Sequence, residues 1–98
     1  MEPEHLLKLL EENRLDLETI GACIPSREEL REAMPRDVVK MLEILKNALE
    51  EGNPASAIRI ALLDSGSDVV IVATFVDPDA GDAVVLAKAG DRIYAWRC

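Results

Sequence analysis

The stretch from Ser56 to Cys98 constrains what this chain can fold into more than any other. It contains four short apolar runs separated by three tight turns, Ser65-Gly66, Pro78-Asp79-Ala80-Gly81 and Gly90-Asp91. Apolar runs of that length bounded by Gly, Asp and Pro read as strands joined by hairpin loops. A meander sheet with a bare apolar face is not stable alone in water and must pack against something. The remaining material is the first 52 residues, which read as helix. The expected class is α+β, with three to four N-terminal helices on one face of a four-stranded antiparallel meander. At 98 residues this is a single domain, 1–52 forming the helical cover and 56–98 the meander, large enough for one core.

Within the cover, Leu6, Leu7, Leu9 and Leu10 predict a helix over Pro3 to Asn13, with proline in its first turn where it is tolerated. Leu17, Ile20 and Ile24 predict a short helix from Asp16, ending around Gly21 to Cys23 before Pro25. Ser26 and Glu29 have the spacing of a capping box and predict a helix containing Leu30, Ala33 and Met34, broken by Pro35. A last helix runs from about Pro35 to Glu51 and stops at Gly52. Its stripe of Val38, Met41, Leu42, Leu45, Ala48 and Leu49, widened by Val39 and Ile44, marks it as the helix lying across the sheet.

The turns also sort the strand side chains into two faces. One collects Ile58, Ile60, Leu62, Val69, Ile71, Ala73, Phe75, Val84, Leu86, Ile93 and Ala95, with Lys88 and Arg97 at its margin, and is expected under the helices. The other carries Val70, Val72, Thr74, Val76, Val85, Ala87, Tyr94 and Trp96, and is too apolar to be simply wet. With the helices assigned to the first face, Val70, Val72, Thr74, Val85, Tyr94 and Trp96 become the expected interface. They form an apolar platform for a second copy across a two-fold axis, a protein partner or a small apolar ligand. A one-residue slip in any strand would instead send half of them into the core.

The chain has 19 acidic and 11 basic side chains, a net charge of −8. That balance opposes nucleic acid and anionic membrane surfaces as partners. All six acids after Pro54 are aspartates in or beside the turns, where Asp bonds its own backbone. The other 13 lie in the first 53 residues, a solvated helical surface or the face of a small acidic inhibitor or immunity-type protein that meets a basic partner. No apolar run approaches the roughly 20 residues that span a bilayer, and no signal-peptide pattern opens the chain. A cytoplasmic setting with reduced thiols is the expectation.

Chemistry-bearing residues are few. His5 is the only histidine, and with Cys23 it is the one candidate catalytic pair, for a Cys/His-dependent hydrolase. A buried small cysteine and a solvated terminal histidine explain the same residues. Cys23 and Cys98 could pair if the C-terminus came near. Asp77, Asp79 and Gly81 match the start of a calcium loop, but no acid closes the far end, so turn chemistry explains them. No metal or cofactor is expected. The favoured function is a non-enzymatic scaffold or binding domain.

The segments Leu6 to Asp16 and Val84 to Arg97, the latter reading VVLAKAGDRIYAWR, resemble the cystatin-like cone folds of the nuclear transport factor two and ketosteroid isomerase superfamily. The resemblance implies a sheet that encloses a ligand or dimerises. The early strand pair of that superfamily is missing, and no catalytic residue carries over. The capped, regular segments EPEHLLKLLEENR, SREEL, KNALEEGNPAS and DPDAGDAVV also resemble computationally designed proteins, in which caps, pattern and turns agree at every level.

Overall fold

The computed structural model describes residues 2–52, 58–65, 68–77 and 79–98. In chain order the elements are α1 (Pro3–Glu12), α2 (Arg14–Thr19), β1 (Arg31–Glu32), α3 (Pro35–Glu51), β2 (Ile58–Ser65), β3 (Asp68–Asp77), β4 (Asp82–Ala89) and β5 (Arg92–Arg97). The class is α+β with one antiparallel sheet, in the order β1-β5-β4-β3-β2.

The sheet has five strands where four were expected, because the segment after Ser26 does not become a helix. Only half of the capping box forms: the Ser26 amide donates to Glu29 Oε1 at 3.4 Å, and the Ser26 hydroxyl donates to the same oxygen at 2.8 Å. The carbonyl of Ser26 accepts from the amides of Glu29 and Leu30, and the turn stops there. Pro35 bars Met34 from the α region, leaving too few residues to repay helix nucleation. The open edge of β5 takes the segment instead: Arg31 pairs with Ala95, Glu32 with Tyr94, and the Ala33 amide donates to the Ile93 carbonyl at 2.8 Å. α3 starts at Pro35, with Asp37 accepting from the Met34 amide, and ends at Gly52 in the left-handed conformation that glycine adopts without strain.

The pairing of β4 with β5 and of β3 with β4 matches the expected loops, Ala89 facing Arg92 and Asp77 facing Asp82. The expected Ser65-Gly66 turn involves residues outside those described. The flanking register, Ser65 opposite Asp68 and Leu62 opposite Ile71, is displaced by two residues from that expectation. An even displacement keeps every side chain on its face.

The layers are the main correction. The helices do not share one face. Leu6, Leu9 and Leu10 of α1, Leu17 of α2 and Ala22 pack on Leu63, Val70, Val72, Val85, Ala87, Ala89, Tyr94 and Trp96. The opposite face, Phe75, Val84, Leu86 and Ala95, packs under Val38, Met41 and Ile44 of α3. The physical reason lies in widths. Five strands at about 4.8 Å make a sheet more than twice as broad as one helix, and each apolar face needs its own cover.

Candidate functional site

The six residues expected to form an open interface are buried inside the chain. Val70, Val72 and Val85 have no exposure, Trp96 has 1%, and Tyr94 and Thr74 are also buried. The inference that this face was too apolar for water was sound, but its cover is α1 and α2 of the same chain. Trp96 shows how firmly that cover is seated: its indole Nε1 donates to the Cys23 carbonyl at 2.8 Å, tying β5 to the segment after α2. Tyr94 is buried and shares its strand face with Arg92, whose guanidinium it holds above its ordinary pKa through a side-chain hydrogen bond.

Cys23 and Cys98 form a disulfide with Cα atoms 5.8 Å apart, so the expectation of reduced thiols is corrected. The bond also removes the thiolate that a Cys/His nucleophile requires. His5 stands apart, in a shallow surface hollow with Lys8, Leu9 and Glu12, whereas Cys23 borders another hollow with Arg14, Glu18, Ala22 and Ile24. The structure does not bring the candidate pair together.

The acids of the β3–β4 turn are fastening groups. Lys40 of α3 bonds Asp79 and lies 3.1 Å from Asp77 Oδ1, and Arg97 lies 2.6 Å from Asp82 and 3.7 Å from Asp77. The Asp79 amide donates to Asp77 Oδ1 at 3.1 Å, as expected of turn chemistry. The Lys40 pairs tie α3 to the end of β3 and its turn, and the Arg97 pairs tie β5 to the ends of β3 and β4. The Lys40 ammonium holds the Asp77 carboxyl below its ordinary value of 3.8. Asp79 and then Asp77 raise Lys40 above 10.5. The unfolded carboxyl binds its proton more readily than the folded one, so this stabilisation is complete above about pH 4 and fades as pH falls through the folded pKa. The Lys40 contribution has the opposite sense, complete below 10.5 and lost as pH rises through its raised value. Denaturant titrations of the parent chain and Asp77→Asn are therefore expected to show a stability gap at pH 7 that closes toward pH 2. A gap of constant size would show that Asp77 acts through something other than its charge.

What remains open is half of the α3 face. Ile60 (60% exposed), Leu62 (66%), Val69 (49%) and Ile71 (38%) lie on β2 and β3 toward their shared hairpin. On α3 itself Leu42 and Leu49 are more than half exposed. Where helix and sheet diverge there is a cavity of about 140 Å³ lined by Val38, Met41, Ile71, Ala73, Leu86, Lys88 and Ile93. The sequence carries the sign of this site in the wide stripe on α3, which reads there only as the mark of a helix lying across the sheet.

Other hollows offer a ligand less. One of about 470 Å³ is lined by Pro3, Arg27, Glu28, Leu30, Arg31, Glu32 and Tyr94, but Arg27 is paired with Glu4 at 2.7 Å and Arg31 with Asp37 at 3.2 Å. Among the described residues no three His, Cys, Asp or Glu side chains are grouped to hold a metal, and no helix is long and apolar enough to cross a membrane. No family model, curated protein or solved structure matches the chain.

Proposed function

We propose that this chain is a non-enzymatic interaction module that associates through the uncovered half of the α3 face. The observation that carries this reading is four exposed aliphatic side chains, Ile60, Leu62, Val69 and Ile71, on the α3 face of β2 and β3, together with exposed Leu42 and Leu49 on α3 itself. Scattered apolar side chains are ordinary on a surface, but a contiguous patch of several hundred Å² marks an interaction site. A partner's side chains fit this surface better than a small ligand does. Small-molecule pockets run to about 300–1,000 Å³, and the hollow here is about 140 Å³. The disulfide favours an oxidising compartment over the reducing cytoplasm.

The test is an apolar fluorescent probe, anilinonaphthalene sulfonate, added to dilute protein. It is expected to bind the parent chain and to bind Leu62→Glu several-fold more weakly, with the melting temperature of the variant within a few degrees of the parent because Leu62 is exposed. Absence of binding, or binding that Leu62→Glu leaves unchanged, would remove the reading.

A further inference from the structure

We propose that the occupant of the open half is a second copy of the chain, which seats its own α3 there. The inference rests on the association reading above and adds the partner. α3 crosses the sheet at the end where Ile58 pairs with Phe75 and Asp77 with Asp82, held there by Lys40. Leu42 is two residues from Lys40, about 200° around the helix, and Leu49 aligns with Leu42 two turns on. Lys40 reaches the pinned strand ends, so Leu42 and Leu49 turn toward the opposite half, the one that carries Ile60, Leu62, Val69 and Ile71. The result is a step, with a sheet floor and a helix wall.

Three features of the step select a second copy. Val38, Leu42, Leu45 and Leu49 are spaced 4, 3 and 4 residues apart, the seam along which one helix packs on another. A two-fold axis parallel to α3 would set each α3 on the other copy's floor, with the two seams side by side and the helices parallel. One operation covers both exposed sets and closes on itself. The size is also adequate. The floor is about 19 Å across four strands by about 13 Å along them, and the wall is about 25 Å long and 10 Å high. Together they amount to roughly 500 Å² per copy, about 1,000 Å² in the pair, the lower bound for a specific interface.

Charge sets the salt dependence of the pair. Each chain carries −8, yet among the described residues Lys88 is the only charged one lining the cavity of the step. Repulsion therefore comes from the outer surfaces, and salt is expected to strengthen association by screening it. An acidic face docked on a basic partner would weaken with salt instead.

The experiment is sedimentation velocity on the oxidised chain from about 1 to 500 µM, at low and high salt. A dimer of the 10.8 kDa chain is expected, favoured by salt, with Leu42→Lys/Leu49→Lys shifting its dissociation constant upward by at least about 100-fold. A cross-linking arm fixes the arrangement: Leu42→Cys is expected to form a covalent dimer on mild oxidation, since the parallel seam sets Leu42 beside its copy. A monomer at all concentrations overturns the inference, and if the probe above still binds, the association reading stands without it. A dimer that survives the double lysine variant but is lost in Ala61→Pro would show pairing through the β2 edge, and it too overturns the inference.

Discussion

Replacing Cys98 with serine is expected to cost about 4 kcal/mol, the largest effect of any single substitution remote from the core. The bond joins residues separated by 75 positions. A cross-link closing a loop of that size removes about 4–5 kcal/mol worth of unfolded-chain entropy, and measured losses for native disulfides in small domains run from about 2 to 5 kcal/mol. For a domain of this length that is a fall in melting temperature of roughly 15–30 °C. The effect acts mainly on the unfolded state, so the folded structure of the variant is expected to persist under mild conditions. Urea titrations of the oxidised chain, the reduced chain and Cys98→Ser are the check. The last two are expected to coincide, both well below the first. Equal stability of oxidised and reduced chains would mean that the cross-link constrains nothing the native contacts do not already hold.

The second large effect belongs to Trp96. It is 1% exposed, faces Val85 across the β4–β5 pair, and belongs to the buried cluster that the α1 leucines and Leu17 of α2 cover. Truncation of a buried tryptophan to alanine typically costs about 3–5 kcal/mol, from lost transfer energy and an incompletely collapsed cavity. Here the Cys23 carbonyl also loses its donor. Trp96→Phe separates the two contributions: it keeps most of the ring and removes the indole N–H, and is expected to cost about 1–3 kcal/mol. The contrast residue is Leu62, equally apolar but 66% exposed, whose truncation to alanine is expected to change stability by no more than about 0.5 kcal/mol. Equilibrium denaturation of the three variants decides the matter. Trp96→Ala costing no more than Leu62→Ala would mean that the α1–α2 layer does not seal this face.

Much of this architecture is legible in the sequence. The 3.6-residue period placed α1 and α3, the Pro35 break was right, and the alternation in the strands divided the two faces correctly even where the β2–β3 register moved by two. Two things were not legible. The capping signal at Ser26 is local chemistry and forms in part, but whether such a turn grows into a helix depends on Pro35 downstream and on the vacant edge of β5. The second is which layer covers which face. An apolar face predicts a cover without saying whether the cover is the same chain or another, because burial energy is indifferent to connectivity. Val70, Val72, Val85, Tyr94 and Trp96 were thus rightly singled out as needing a partner, which α1 and α2 supply. The residues left wanting one, Ile60, Leu62, Val69 and Ile71, had been given to the core because nothing in their alternation shows that α3 is too narrow to cover them.

Hydroxyl-radical footprinting read by mass spectrometry across a dilution series compares the two faces in one sample. The expected result is that Trp96 is protected at every concentration, while Ile60, Leu62 and Ile71 are labelled in dilute protein and lose their label as concentration rises. Labelling of Trp96 that varies with concentration while Leu62 and its neighbours stay constant would contradict it, and would return the interface to the opposite face of the sheet.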